Sequence, residues 1–217
     1  MVLYAVVAQL VRALPCHGRG CRFKSGRSRI MKKLILASSS ATRKILLSDA
    51  SLSFEVDPSS YEEDMTLPMS PKELVVYLSK GKAVDVAQRH KDAIILGADT
   101  VIVYQDKVLG KPYTPEMAKE MLKMLSGKQH SAITGFTVID TETNNIISKA
   151  VETKVFFRDL TDQEIDDYIA TGEPLNKAGA YAILEKGSTL IEKIEGSKSS
   201  VAGLPMEEVM EVLKDWR

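Results

Sequence analysis

The stretch Leu34-Ile-Leu-Ala-Ser-Ser-Ser-Ala-Thr-Arg-Lys-Ile-Leu-Leu47 decides the fold class of this chain. A short apolar run is followed at once by three serines and then by a basic stretch with helical character. The pattern predicts a buried strand that leads directly into the N-terminus of a helix. Free backbone N–H groups, hydroxyl donors and cations in a first helical turn are typical of a site that binds phosphate.

A second segment, Gly97-Ala-Asp-Thr-Val101, places one carboxylate at the end of a buried apolar run, and Gly110-Lys-Pro112 follows it closely. An ionised carboxylate is costly to bury unless it has a partner such as a metal ion. A phosphate-binding turn together with such a carboxylate indicates phosphoryl chemistry. Asp99 is therefore the first candidate for a catalytic residue.

Apolar periodicity and capping signals predict that strands and helices alternate along the chain. The helix after the three serines is expected to be capped by Ser39 or Ser40, and Thr161-Asp-Gln-Glu164 is a capping box. The predicted strands are 33–37, 53–56, 93–96 with its end at Asp99, 101–104, 107–109, 131–139 and 146–157, with two further short strands later. The predicted helices are 41–49, 71–89, 114–127, 161–172 and 206–216. This order predicts an α/β class with a mixed sheet.

Composition limits the classes of protein that this chain can represent. Its 217 residues suit one domain with a sizeable core, and no apolar run reaches the ~18 to 20 residues of a membrane span. Cys16, His17 and Cys21 are too few for a four-ligand zinc site, so no role is expected for them. The absence of cysteine after residue 30 fits a cytoplasmic protein.

Residues 1–30, here called the basic leader, are treated apart from a body at 31–217. No Asp or Glu precedes Asp49, whereas ten Lys or Arg do. Parts of the leader resemble peptides obtained by translating a transfer-RNA gene, which favours Met31 as the true start. A disordered basic arm and a transit peptide are the alternatives.

Eight motifs occur in an order that resembles one known family. They are the serine-rich opening, Gly97-Ala-Asp-Thr100, Gly110-Lys-Pro112, Thr134-Gly135, Gly172-Glu-Pro-Leu175, Lys177-Ala-Gly-Ala-Tyr181, Ile194-Glu-Gly196 and Gly203-Leu-Pro205. From Met31 to its end, the sequence resembles the Maf family of nucleoside triphosphate pyrophosphatases, which includes proteins named septum formation inhibitors. The resemblance implies an elongated α/β fold with two lobes around a central cleft, similar to inosine triphosphate pyrophosphatases. It also implies cleavage between the α and β phosphates, with a divalent cation, Mg²⁺ or Mn²⁺, as cofactor.

The resemblance assigns roles to residues that match the family's motifs. Asp99 matches the catalytic carboxylate, as general base or metal ligand, and Glu63 matches an acidic position that helps to hold the metal, although the neighbouring Glu62 leaves the register open. The residues that match phosphate-binding positions are Ser38, Ser40, Arg43, Lys82 and Lys111. Helix capping by either serine and simple solvation of Lys82 are the alternatives. An exposed lysine is expected to matter less for catalysis than Arg43.

Base recognition is where the sequence departs from the family's pattern. Thr42 replaces an arginine of the thymidine/uridine triphosphate branch, and Leu184 stands where that branch has a base-contacting glutamine. Thr100 and Ala180-Tyr181 still match the branch. The expected substrate is therefore a pyrimidine nucleoside triphosphate, namely dTTP, UTP or a modified nucleotide, with broader specificity than in that branch.

Two functions of different classes fit these features: a pyrophosphatase, and a nucleotide-binding regulator of cell division without significant turnover. Asp99 favours the enzyme, because a carboxylate repels a bound polyanion unless a cation lies between them. The expected partner is the nucleoside triphosphate substrate. Nucleic acid and membrane are not expected as partners, and a homodimer is left open.

Overall fold

The computed structural model describes residues 32–216. The expectations for the basic leader, for its cysteines and for Met31 as a start lie outside these residues. The strands are β1 (Lys33–Leu36), β2 (Glu55–Val56), β3 (Ala93–Tyr104), β4 (Lys107–Leu109), β5 (Gln129–Asp140), β6 (Ile146–Phe157) and β7 (Ile191–Glu195). The helices are α1 (Ala41–Asp49), α2 (Pro71–Ala87), α3 (Pro115–Leu125), α4 (Asp162–Ala170), α5 (Lys198–Val201) and α6 (Met206–Trp216).

One mixed sheet contains all seven strands of the part of the chain that the structure describes. The order is β2-β1-β3-β5-β6-β7, with β4 paired to β3. β1 runs parallel to β2 and β3, whereas β3, β5, β6 and β7 pair in antiparallel fashion. The predicted α/β class with a mixed sheet is confirmed.

The prediction of two separate strands around Asp99 is wrong, because β3 is continuous from Ala93 to Tyr104. Its residues from Ile94 to Val103 pair one by one with β5, so that no break interrupts the ladder. Most of the strand is buried, which hides the apolar–polar alternation that marks a half-exposed strand. Asp99 consequently lies in the middle of a strand and not at its end.

Differences also occur near the end of the chain. Only β7 follows α4 in the described residues, whereas two short strands were expected there. Between α4 and β7 the chain forms three short 3₁₀ helices instead, at Glu173–Asn176, Ala178–Ala180 and Lys186–Leu190. None of the helices within residues 32–216 is both long and apolar enough to cross a membrane.

Side-chain caps begin the helices where the sequence signals them. Ser40 caps α1 by accepting a hydrogen bond from the Arg43 backbone N–H, and Thr161 and Glu164 form the predicted capping box of α4. Such caps satisfy backbone donors that the first helical turn leaves without partners. The cap on Ser40 fixes where α1 starts and therefore where Arg43 lies.

The core has two main clusters at opposite ends of the long strands. One cluster joins α6 to the strand residues Ile94, Leu96, Phe136 and Val138. The other joins α3 and α4 to the strand residues Ile102, Ala132, Val155 and Phe157. The clusters form two lobes of the body, and the middle of β3, with Asp99, lies between them.

Gly97 lets α2 approach the middle of β3. A Cβ atom at Gly97 would lie 2.5 Å from the Ser79 carbonyl oxygen and 2.9 Å from Ala83, distances that real Cβ contacts do not show. Only glycine therefore permits this contact between helix and strand. The contact brings Lys82, on the same turn of α2 as Ala83, to Asp99.

Candidate active site

A cleft of about 560 Å³ opens beside the middle of β3. Its walls come from the turn between β1 and α1, from α2, and from the segments 59–65, 110–113, 176–184 and 201–203. The ten residues predicted for the site all line this cleft: Ser38, Ser40, Thr42, Arg43, Glu63, Lys82, Asp99, Thr100, Lys111 and Leu184. The fold thus brings together positions that lie far apart in the sequence.

Asp99 and Glu63 share one cation in this cleft. Lys82 Nζ donates a hydrogen bond to Asp99 Oδ1 at 2.5 Å and lies 2.8 Å from Glu63 Oε1. Lys82 and Asp99 are buried, whereas the Glu63 side chain is partly exposed. The contact comes from Glu63 and not from Glu62. Because Lys82 is buried and doubly paired, the alternative of a merely solvated helix lysine is wrong.

The surroundings shift the pKa values of Asp99 and Glu63 in opposite directions. Burial raises the pKa of Asp99, and the charges of Lys82 and Arg43 only partly oppose this rise. Burial also tends to raise the pKa of Glu63, but the neighbouring cations, with Lys82 first, outweigh it and lower the pKa overall. Of the two carboxylates, Asp99 is therefore the better proton acceptor, while Glu63 stays ionised.

Arg43 is held in place by three hydrogen bonds. Its Nε donates to the Gly203 carbonyl at 2.9 Å and one terminal nitrogen donates to Ser38 Oγ at 3.1 Å. The other terminal nitrogen lies 3.4 Å from Thr100 Oγ1. Burial lowers the pKa of Arg43, and the charge of Asp99 opposes this shift. A cation in a first helical turn opposes the helix dipole, so its fixed position beside the cleft favours a role in anion binding.

The two candidate serines have different local partners. Ser40 Oγ accepts from the Arg43 backbone N–H at 3.4 Å, which confirms the capping alternative for Ser40. Ser38 is buried, and its Oγ accepts from the Ser40 N–H at 3.2 Å as well as from Arg43. A serine hydroxyl that accepts in this way still has its own proton to donate into the cleft.

Thr100 lies at the Arg43 end of the cleft. Its Oγ1 is 2.9 Å from Thr134 Oγ1, and Thr134 in turn donates to the Ser200 carbonyl at 2.7 Å. This chain of hydroxyl groups ties β3 to β5 and to α5. Thr100 therefore supports the arginine, although its motif suggests a role in base selection.

Lys111 and Leu184 lie on two loops that line the exposed part of the cleft. Lys111 is exposed on the segment 110–113, and Leu184 is 42% exposed. The two loops are joined, since the Gly179 N–H donates to the Gly110 carbonyl at 3.0 Å. The loop that carries Leu184 and the loop that carries Lys111 are thus expected to move together.

The carboxylates of Asp99 and Glu63 fit a divalent cation. Mg²⁺ and Mn²⁺ prefer hard oxygen ligands, and substrate phosphates commonly complete a site with one or two carboxylates. Both carboxylates already converge on one positive charge, the ammonium group of Lys82. Within residues 32–216 no group of three His, Cys, Asp or Glu residues could hold a metal. Further ligands would therefore come from substrate and water.

Sequence reasoning assigned no role to several residues of the cleft. Gly203 supplies the carbonyl that accepts from Arg43, and its φ of 112° is one that glycine readily adopts. Lys177 lines the cleft and pairs with Glu185 at 3.0 Å. Both residues lie in motifs on which the family resemblance rests, so the motifs marked these positions although no role was assigned to them. Tyr61, which packs against Gly81, had no signal of that kind.

The fold and the cleft define a class: a mixed α/β protein with a cationic cleft around a buried carboxylate. The family model described as Maf-like protein matches residues 33–216. The chain therefore belongs to the Maf family, and the predicted resemblance is confirmed.

Individual relatives agree with this assignment. The chain is 45% identical over 184 residues to a dTTP/UTP pyrophosphatase of Geobacillus sp. (strain WCH70). The match covers 85% of this chain and 98% of the relative. The chain is 44% identical over 185 residues to a dTTP/UTP pyrophosphatase of Methanosarcina mazei, with 85% and 94% covered. A crystal structure of a nucleoside-triphosphatase / dITP/XTP pyrophosphatase from Mycobacterium abscessus matches with a TM-score of 0.38 and 12% identity, covering 58% of this chain and 72% of that one.

Proposed function

We propose that this protein hydrolyses nucleoside triphosphates to a nucleoside monophosphate and pyrophosphate, with pyrimidine nucleotides such as dTTP and UTP as substrates. Relatives that share about 45% of their residues with it are named dTTP/UTP pyrophosphatases. The observation that carries the proposal is the buried Asp99 beside Lys82 and Arg43 in the cleft. This is an arrangement for acid–base chemistry next to a polyanion.

Three cations of the cleft are placed to receive the triphosphate. Arg43 offers a fork of donors fixed by Ser38 and Gly203, and such a fork matches phosphate oxygens. Lys111 adds an exposed positive charge to the lining of the cleft. Lys82 is paired with Asp99 and Glu63, so it neutralises carboxylates that would otherwise repel the substrate.

Asp99 acts as the general base for a water molecule. The carboxylate takes one proton from the water while the water oxygen forms a bond to the α-phosphorus, and the bond from that phosphorus to the α–β bridging oxygen breaks. Pyrophosphate leaves with the bridging oxygen and the electron pair of the broken bond, and the nucleoside monophosphate remains with the water's hydroxyl oxygen. Burial suits Asp99 to this task, because it raises the pKa of the carboxyl group above its ordinary value and so makes the carboxylate a stronger base.

Asp99 and Glu63 would also hold the divalent cation, Mg²⁺ or Mn²⁺. When bound, the cation neutralises phosphate charge and lowers the pKa of a water ligand. The contribution of the chain is the fixed pair of carboxylates, one of which stays ionised because of the neighbouring lysine. Activity that persists unchanged in excess EDTA would remove the metal from this proposal.

A panel of natural nucleoside triphosphates, with chromatographic identification of the products, tests the reaction. The expected products are a monophosphate and pyrophosphate. Asp99→Asn is expected to lower kcat by at least ~10²-fold, the usual size of a lost acid–base group. Asp106→Asn, in the exposed turn between β3 and β4, is the matched control and is expected to keep wild-type kcat.

Three results would contradict the proposal. Diphosphate and phosphate as products would mean that another bond is cleaved. Near-normal turnover by Asp99→Asn would move the catalytic role to another residue. Tight nucleotide binding without turnover by the wild-type protein would favour the regulator over the enzyme.

A further inference from the structure

His130 is a buried titratable residue that the proposed reaction does not use. It lies on β5, is 2% exposed, and its Nε2 atom is 3.0 Å from the hydroxyl oxygen of Tyr181. The rings of His130, Tyr181 and Phe157 meet edge to face, with centroids 4.9 to 5.5 Å apart. Tyr181 also lines the cleft, so that this cluster connects the core to the site.

The surroundings fix which partner donates the hydrogen bond. Burial lowers the pKa of His130 to about 4, and a backbone interaction at Lys128 opposes this only in part. Burial raises the pKa of Tyr181. The histidine is therefore neutral and the phenol keeps its proton throughout the physiological range. Because the buried hydroxyl has no other acceptor among the described residues, Tyr181 donates to His130 Nε2.

The bond anchors a segment of chain with an unusual backbone. Gly179 and Ala180 have φ values of 66° and 63°, and an alanine rarely adopts the latter value without support from its surroundings. Tyr181 follows them directly, and the residues after it, including Ile183 and Leu184, line the cleft. Tyr181 thus holds the wall on which Leu184 occupies the predicted base-contacting position.

We propose that His130 is a positioning residue which, through its hydrogen bond to Tyr181, fixes the cleft wall at residues 179–184 and so determines how tightly the nucleotide is bound. The inference rests on the proposed function, since it assigns this wall to the nucleotide. Asp99, Lys82 and Arg43 lie on β3, α2 and α1, outside the segment 179–184 that the bond anchors. The effect is therefore expected in KM and not in kcat.

The acceptor nitrogen of His130, and not only the volume of its ring, holds Tyr181 in place. A phenylalanine at position 130 would fill similar space and could keep the edge-to-face contacts. It would leave the Tyr181 hydroxyl buried without an acceptor, which is unfavourable enough to turn that hydroxyl toward the cleft. The wall would then move, although the core stayed packed.

Steady-state kinetics with UTP and Mg²⁺ test the proposal on two backgrounds. His130→Phe is expected to raise KM about 5- to 10-fold, the size of one lost buried hydrogen bond, with kcat within about twofold of wild type. On the Tyr181→Phe background, which has no hydroxyl to satisfy, the same substitution is expected to leave KM unchanged. His130→Gln keeps an acceptor and is expected to restore most of the affinity. His130→Asn, which is too short to reach Tyr181, is expected to resemble the Phe variant.

Several outcomes would overturn the proposal. One is a lower melting temperature of His130→Phe with unchanged KM, which would mean a structural role only. Others are an equal rise in KM on both backgrounds, and a Gln variant as weak as the Phe variant. If the wild-type protein turns over no triphosphate, the proposed function fails, and calorimetric binding of α,β-imido-UTP makes the same comparison. A higher Kd for the Phe and Asn variants than for the Gln variant and the wild type would still support the positioning role. Equal Kd values for all four proteins would reject it.

Discussion

Lys82 shows how one buried cation controls two carboxylates. From the sequence it is a helix lysine that matches a phosphate-binding position, and an exposed lysine would matter less than Arg43. In the structure it is buried and contacts both Asp99 and Glu63. The reason for ranking Arg43 above Lys82 therefore no longer holds. Lys82 sets the charge of the residue that accepts the proton as well as the charge presented to phosphate.

Replacing Lys82 by methionine is expected to move the acid limb of the pH–activity profile. Lys82 favours the ionised form of Asp99, so its loss raises the pKa of Asp99 further. The base form then appears only at higher pH, so the acid limb of kcat/KM is expected to shift to higher pH. Profiles from pH 5 to 9 measure this shift. Lys80→Met, an exposed lysine on the same helix, is the control. An acid limb that stays in place would mean that Asp99 does not limit activity at low pH.

The base-recognition residues lead to a prediction about specificity. Thr42 and Leu184 line the cleft without the guanidinium and amide groups expected from the thymidine/uridine branch. We expect dTTP and dUTP, which differ by one methyl group, to be poorly distinguished. Thr42→Arg with Leu184→Gln is expected to sharpen the preference among bases, whereas Leu184→Met, which adds no polar group, is expected not to. A wild-type kcat/KM for one base that exceeds all others by ~10⁴ would contradict this, because other groups would then recognise the base.

At the scale of elements, local signals predicted more than long-range pairing did. The strand β1 and the capping box at Thr161 depend on neighbouring residues and were predicted correctly, and Ser40, which caps α1, is one of the two serines predicted for that cap. The continuity of β3 depends on β5, whose paired residues lie 28 to 46 positions further along the chain, and it was missed. The strand propensity of a segment does not show which strand it pairs with. The alternation of apolar and polar residues that would have revealed a long strand is absent when both faces of the strand are buried.

The candidate site follows the same distinction. Its ten residues were identified through short motifs, and the fold places all of them on one cleft. Their mutual contacts could not be predicted, because Glu63 comes from an irregular segment and Asp99 from β3, and both meet Lys82 of α2 only in the folded chain. The pair of His130 and Tyr181 was missed for the same reason, since its members are 51 positions apart.

Gly97 provides a test of how packing builds the site. An added methyl group would overlap the Ser79 carbonyl, so Gly97→Ala is expected to push α2 away from β3 and destabilise the fold by about 1–3 kcal/mol. The Lys82–Asp99 contact would lengthen, and kcat would fall together with the melting temperature. Gly110→Ala, whose Cβ would meet no atom within 4 Å, is the control for stability. Equal melting temperatures for both variants would show that α2 has room to accommodate the methyl group.

At the scale of the whole molecule, the position of Asp99 follows from the two-cluster core. Each lobe packs one end of the long strands, and the middle of β3 is left facing a cleft that several loops surround. A carboxylate there is buried by the sheet yet reachable from the cleft. A strand that ended at Asp99, as the sequence suggested, would have placed the carboxylate on a loop with less burial and a less perturbed pKa.

The basic leader gives the last prediction. The family match covers residues 33–216, and the sheet and the cleft of the described residues are built from that range, so a protein that begins at Met31 is expected to melt at the same temperature as the full chain and to have the same kcat/KM. Lys32, which binds Asp140 at 2.7 Å, is retained in that protein. A chain that begins at Lys33 is the matched control, and it is expected to be less stable because Asp140 loses this partner. Thermal unfolding and turnover of the three proteins, measured side by side, decide the matter. A substantially lower melting temperature or lost turnover in the protein that begins at Met31 would mean that residues 1–30 contribute to the folded enzyme.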